Sequence, residues 1–322
     1  REKLEQDPNW CKRGAVVLNN PHNASGQVFA EKDIRKLIKW LLENRVFVID
    51  DLAYQNVAPA ENLSGTKTMR QIINEMAAKG QIRQELTHYG ITVHSLSKTD
   101  CFAGARMAVA EIPHPDLRIR FSGLNKLIRP NSLATLLSYL FYRNSHEKIT
   151  TFWTWRNRIF EKRMQALETA RTNLPSDRNP YQIEIRRPQG AMYPNMIIRK
   201  LPAGISLDWL SSKLALQGIG LIPLSTFART AKGYEIGRNS FRLTLGGSDD
   251  ADILRQKTRR VLIDLNRLIA EESLNYTRRE LPSASIRFKT SGLFQKHDEI
   301  FHDFLNRTAS EAEALLSKKI KL

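Results

Sequence analysis

Residues 15–54 read AVVLNNPHNASGQVFAEKDIRKLIKWLLENRVFVIDDLAY, and this stretch decides the fold class. Ala15-Val16-Val17-Leu18 is a short apolar run that stops at the turn Asn19-Asn20-Pro21. From Glu31 to Asn44 the apolar residues Ile34, Leu37, Ile38, Leu41 and Leu42 recur at the spacing of a helix with one buried face. Val46-Phe47-Val48-Ile49 follows, a β-branched and aromatic run bounded by Asp50-Asp51. Strand, helix and strand in so short a span read as a βαβ unit. Continuous apolar strands suit a parallel sheet covered on both faces, so the expected class is α/β.

Outward from this unit, Ile91-Thr92-Val93 and Met107-Ala108-Val109 read as further strands. From Pro130 to about Arg171 the pattern is helical, with a break near Asn144-Ser145. Pro188-Gln189-Gly190-Ala191-Met192-Tyr193 interrupts the pattern ahead of a strand at Asn195–Arg199. Helices are expected at Leu207–Gln217 and Asp250–Glu272, and a strand at Phe241–Leu245. After Tyr276 the composition changes, and His297–Leu322 has the pattern of an amphipathic helix. Three segments follow: 1–150, 151–275 and a C-terminal extension at 276–322.

Composition excludes several classes. A chain of 322 residues buries a core without staples. Its two cysteines, Cys11 and Cys101, lie far apart, so no disulfide framework and no metal site is expected. A reducing, cytoplasmic setting is the expectation. The most apolar run, Leu133–Tyr142, is too short to span a bilayer, and no signal-peptide pattern opens the chain. The net charge of +17 is spread as +6 over residues 1–150, +8 over 151–275 and +3 beyond. With no basic block and no aromatic RNA-binding pattern, specific nucleic-acid binding is not expected.

The chemistry is carried by Ser95-Leu96-Ser97-Lys98, with Arg106 eight residues after the lysine. A lysine just past a strand can form a Schiff base with an aldehyde cofactor. Hydroxyls and a guanidinium nearby suit a phosphate, and Gly104 lets backbone pass close to a ligand. Asn23-Ala24-Ser25-Gly26 and Asp51-Leu52-Ala53-Tyr54 each follow a strand, where a parallel sheet places its ligand groups.

These segments together resemble the fold-type I pyridoxal-phosphate enzymes of the class I/II aminotransferase group. Asn19–Gly26 resembles the family's N-P-x-N-P-T-G motif, and Asp51–Gln55 its D-x-A-Y segment, closest to aspartate aminotransferases. Ser95–Lys98 with Arg106 resembles the lysine motif. Asn239-Ser240-Phe241-Arg242-Leu243 resembles the late segment with the arginine that grips the substrate carboxylate. The resemblance covers about residues 10–275. It implies a large domain with a mainly parallel sheet, incomplete at its N-terminus, and a smaller α+β domain. It implies pyridoxal 5'-phosphate as cofactor and amino-group transfer between an amino acid and a 2-oxo acid through a Schiff base at Lys98.

The implied roles fall residue by residue. Lys98, Asp51 and Tyr54 are the catalytic set. Lys98 would hold the cofactor and move the proton, and Asp51 would pair with the pyridine nitrogen. Tyr54 and Asn23 would hydrogen-bond the phenolate oxygen, and Ser95, Ser97 and Arg106 would anchor the phosphate. Arg242 would clamp the α-carboxylate, with Arg238 its nearest competitor. Arg129, in Ile128-Arg129-Pro130-Asn131, resembles the position that reads a side-chain carboxylate, and equally reads as a helix-start arginine.

The sequence departs from the pattern in three places. N-A-S-G stands for N-P-T-G, a mild change that keeps Asn23 and the turn. Asn56–Lys79 leaves room for an extra loop and helix near the site. Only 22 residues precede Asn23, too few for the first strands and phosphate loop of the family, so the chain by itself is expected to be inactive. A homodimer is the expectation for a full-length protein. Two alternatives remain open: a decarboxylase or lyase on the same scaffold, and an aminotransferase-like effector domain of a transcription regulator.

Overall fold

The computed structural model describes residues 14–59, 67–128, 131–247 and 250–279. β1 (Ala15–Asn19) leads to α1 (Glu31–Glu43), β2 (Phe47–Asp51), α2 (Met69–Ala78), β3 (Gly90–Ser95), the one-turn α3 (Leu96–Thr99) and β4 (Ala108–Glu111). These strands form a sheet in the order β1-β2-β3-β4. β1, β2 and β3 run parallel, with Asn19 opposite Asp51 and Asp51 opposite Val93. β4 returns antiparallel and sets Ala108 opposite Ser95. Parallel strands all finish at one edge, so Asn19, Asp51 and Ser95 end up along the same border of the sheet.

The periodicity of α1 explains its seat. Ile34, Ile38, Leu41 and Leu42 pack with Val48 of the sheet and with Met69, Ile72, Ile73 and Met76 of α2. Each fully buried side chain of this size contributes about 1.5–3 kcal/mol. α2 opens on a capping box: Thr68 Oγ1 accepts the Gln71 N–H at 3.1 Å, and Gln71 Oε1 accepts the Thr68 N–H at 2.9 Å. This is the helix for which Asn56–Lys79 leaves room. It lies beside α1, on the sheet face of Val48 and therefore opposite that of Asp51.

Three helices follow: α4 (Pro115–Ile128), α5 (Ser132–Tyr142) and α6 (His146–Thr172). The break near Asn144-Ser145 separates the last two, and Ser145 Oγ caps α6 by accepting the Lys148 N–H at 3.4 Å. α4 escapes the sequence reading because Ile119, Phe121, Leu124 and Leu127 are all exposed and form no buried stripe.

The second sheet is built from β5 (Ile183–Arg186), β6 (Asn195–Ile198), α7 (Leu207–Ala215), β7 (Ile222–Pro223), α8 (Ala231–Gly237), β8 (Ser240–Arg242) and α9 (Ala251–Arg279). Its order is β5-β6-β8-β7, and every pairing is antiparallel. Met196, Ile198 and Phe241 pack against Leu210 and Leu214 of α7 and Leu262, Leu265 and Ile269 of α9. β8 is shorter than the expected Phe241–Leu245. Past Arg242 the partner residue is Pro194, whose carbonyl accepts the Leu243 N–H at 2.8 Å. Proline has no N–H to return, so the ladder stops.

The described residues up to Leu274 form one compact unit, and a second begins at Asn275, where residues 275–279 continue α9. The amphipathic stretch His297–Leu322 lies outside the described residues. Among the described residues no helix is long and apolar enough to cross a membrane.

Ile38 is fully buried between α1 and α2. Ile38→Ala is expected to destabilise the fold by about 2–5 kcal/mol, read as a lower urea midpoint with an unchanged slope.

Candidate active site

Asn19 ties two strand ends together. Its Oδ1 accepts the Asn23 N–H at 2.7 Å and its Nδ2 donates to the Asp51 carbonyl at 3.0 Å. The Asn23 loop closes as a tight turn in which the Gly26 N–H donates to the His22 carbonyl at 2.9 Å. Gly26 has φ +63°, and a Cβ there would lie 2.4 Å from Pro188 Cβ, so both conformation and space demand glycine. The Gly26 carbonyl accepts the N–H groups of Gln189 and Gly190 at 2.8 and 3.0 Å. Asn195 Nδ2 reaches the Ala24 carbonyl at 3.3 Å. The Asn23 loop is thereby stitched to the second sheet.

Alternation along β2 separates the two adjacent aspartates. Asp50 turns to the α1–α2 face, is 2% exposed, and accepts the Met69 N–H at 2.8 Å. Burial pushes its carboxyl up to about 7, with the Met69 N–H pulling the other way. Asp51 lies on the opposite face, partly buried, and accepts the Ala53 N–H at 3.1 Å, which tightens the turn into Tyr54. Tyr54 is buried, and its hydroxyl lies 3.4 Å from that of Tyr193. Burial, reinforced by the Tyr193 hydroxyl, holds the Tyr54 phenol above its ordinary range, so it stays protonated.

Lys98 sits in α3, directly past β3, and is partly buried. Its ammonium makes no hydrogen bond or ion pair with the described residues. The turn around it is braced instead. Thr99 Oγ1 donates to the Leu52 carbonyl at 3.3 Å, joining the lysine turn to the Asp51–Tyr54 turn. The buried Arg156 guanidinium of α6 donates to the carbonyls of Thr99 and Asn56. Ser95 Oγ accepts the Ser97 N–H at 3.4 Å. Arg106 has φ +53°, is exposed, and donates to the Ala103 carbonyl at 3.1 Å. Register places Arg106 near Ser95, two residues before its partner Ala108.

Arg242 brings the two sheets to one point. Its Nη1 donates to Asn23 Oδ1 at 3.1 Å. Its guanidinium carbon lies 4.3 Å from the ring centroids of both Tyr193 and Phe227. Such cation–π contacts contribute about 0.5–2 kcal/mol each. A cavity of about 250 Å³ opens beside it, lined by Tyr193, Leu221, Leu243, Leu254 and Val261, and it does not extend to Lys98 or Asp51. Arg238, by contrast, points to Glu235 at 3.1 Å. Arg129 lies outside the described residues. Tyr193 and Phe227 are absent from the sequence-derived set. Tyr193 stands in a segment that reads only as a break, and nothing local marks Phe227.

The residues fit a pyridine aldehyde with a phosphate. An uncommitted lysine, a carboxylate with one oxygen unbonded among the described residues and a protonated tyrosine each follow a strand end, and register sets Arg106 near Ser95. The fold is that of the fold-type I enzymes. The family model described as aminotransferase class I and II matches residues 1–255, and the chain belongs to that family. Aspartate aminotransferase from Bacillus sp. (strain YM-2) is 22% identical over 224 residues, which are 67% of this chain and 51% of that protein. Alanine aminotransferase 1 from Bos taurus is 28% identical over 123 residues, 37% of this chain and 23% of that protein. The solved structure of an alpha-aminoadipate aminotransferase from Thermus thermophilus, complexed with N-(5'-phosphopyridoxyl)-L-leucine, superposes with a TM-score of 0.61 at 19% identity. That superposition covers 83% of this chain and 63% of the other. The chain thus spans about half or less of the length of the curated relatives it matches. The family implies pyridoxal phosphate as its cofactor.

Asp50 supplies a pH test that separates the two faces. Its folded pKa of about 7 stands above the ordinary 3.8, so the folded chain binds this proton more tightly than the unfolded one. Its contribution to stability therefore falls as pH rises from about 4 to about 7 and is flat above. Asp50→Asn is expected to remove that decline and to raise the urea midpoint at pH 8. Wild-type pH dependence in the variant would mean that Asp50 is not the group responsible.

Proposed function

We propose that this chain carries the lysine, pyridine-nitrogen and substrate-carboxylate groups of a pyridoxal-phosphate-dependent aminotransferase. The substrates in this reading are an amino acid and a 2-oxo acid. The observation that carries it is the meeting of Arg242 with Asn23 at 3.1 Å, beside the strand ends that bear Asp51 and Lys98.

Pyridoxal phosphate, when bound, supplies an electron-poor ring that stabilises negative charge at the substrate α-carbon. The chain's residues do the rest. Lys98 Nζ would hold the cofactor covalently and then carry the proton to and from the α-carbon. The Asp51 carboxylate would keep a proton on the ring nitrogen, a task an amide cannot perform. Tyr54, held as a phenol, would donate a hydrogen bond to the ring oxygen, and Asn23 would do the same. Ser95, Ser97 and Arg106 would bind the phosphate, where arginine offers two parallel donors. Arg242 would receive the α-carboxylate in the same two-pronged way. The first sheet serves as the cofactor lobe and the second as the substrate lobe, with the division near residue 150.

A homodimer and a cytoplasmic setting belong to the same proposal. The apolar face of α4 and α5 supports a partner: Ile119, Leu127, Leu133 and Tyr139 are 64–73% exposed. Cys101, the free cysteine of the described residues, is exposed.

Incubation of full-length protein with pyridoxal phosphate, borohydride reduction and peptide mapping tests the reading. Label is expected on Lys98 and absent in Lys98→Ala. Arg242→Leu is expected to keep the label while raising the KM for amino acids about 10- to 100-fold. Wild-type full-length protein that takes no label at Lys98 would sink the proposal.

A further inference from the structure

Tyr193 stands where three constraints meet. It is 7% exposed, its ring lies 4.3 Å from the Arg242 guanidinium carbon, and its hydroxyl is 3.4 Å from that of Tyr54. The backbone leading to it is held in a costly way. Ala191 is fully buried and has φ +61°, a left-handed conformation rare for a residue with a Cβ. Gly190 admits nothing larger, because a Cβ there would meet Pro21 Cγ at 2.5 Å. On the far side, Met192 is pinned through its carbonyl, which accepts the Leu245 N–H at 2.9 Å.

We infer that Tyr193 is a positioning residue that sets the plane of the Arg242 guanidinium with its ring and orients the Tyr54 hydroxyl with its own. This rests on the roles given to Arg242 and Tyr54 above. With the Tyr193 and Phe227 rings against the cation, its N–H edges are what remains for polar partners. Nη1 already donates to Asn23 Oδ1. The outcome is a flat, edge-on donor, the shape a carboxylate accepts in two parallel bonds. The hydroxyl acts separately. Tyr54 has one proton, and if it donates that proton to the cofactor oxygen, its own oxygen is free to accept from Tyr193. One side chain therefore couples the carboxylate grip to the hydrogen bond on the cofactor.

Two variants separate the two functions in full-length protein loaded with pyridoxal phosphate. Tyr193→Phe keeps the ring and removes the hydroxyl. The pH midpoint of the bound cofactor's absorbance change is expected to rise by about half a unit, because the ring oxygen loses stabilisation. The KM for the amino acid should stay within about twofold. Tyr193→Leu removes both, so the same midpoint shift should be joined by a roughly five- to tenfold rise in KM, about the loss of one cation–π contact. A midpoint unmoved in both variants, or a KM unmoved in Tyr193→Leu, would overturn the inference. So would loss of folded protein in Tyr193→Phe, which would assign the residue to packing alone. Wild-type full-length protein without the cofactor absorbance would fail the proposed function itself and take this inference with it.

Discussion

Parallel pairing of β1, β2 and β3 is the constraint on which the site depends. Antiparallel neighbours would send alternate strand ends to opposite edges. Here Asn19, Asp51 and Ser95 finish on one border, so the segments that follow them start side by side. The pleat then chooses between Asp50 and Asp51 without further information. One face is sealed by α1 and α2, and the residue that falls there loses its water and holds its proton up to about pH 7. The neighbour keeps an ordinary hydrogen bond and an oxygen to offer. A one-residue slip of β2 would exchange the two roles.

The second sheet contributes through one long-range meeting. Arg242 and Asn23 are 219 residues apart in sequence, yet they share a hydrogen bond. Two glycines make that approach possible in space. Gly26 and Gly190 let the loop 21–28 and the loop 188–190 touch backbone to backbone, with Pro188 and Pro21 filling the gaps. The contact is rigid because it is made of main-chain bonds and prolines, so the Arg242 guanidinium inherits its place from the turn that carries Asn23.

The legible part of this arrangement is the part written locally. α1 is visible in its apolar spacing, and α6 in the break ahead of it. Lys98, Arg106 and Asp51 stand in short motifs that follow strands, and it is the resemblance of those motifs to a known family, more than their spacing, that brings them forward. β5 is not legible, because Ile183-Glu184-Ile185-Arg186 is too brief an alternation to separate from a loop. Tyr193 and Phe227 are hidden for a deeper reason. Their importance lies in one guanidinium that is distant in sequence, and no local pattern records a partner supplied by the fold.

The way Arg242 is held explains why such partners matter. A carboxylate beside it would orient the cation firmly, and would also neutralise it. Substrate would then have to displace that carboxylate, and part of the binding free energy would go into breaking an existing ion pair. Two rings and an amide oxygen orient the guanidinium and leave its charge whole. Among the described residues, Lys98 and Asp51 are alike in one respect: neither side chain is paired with an opposite charge. Asp51, Lys98 and Arg242 are all partly exposed, so water carries part of each charge and each stays open to a partner from outside the chain. In the proposed reading one assembly answers all three, with a carboxylate for Arg242, a protonated ring nitrogen for Asp51 and an aldehyde for the Lys98 amine to condense with.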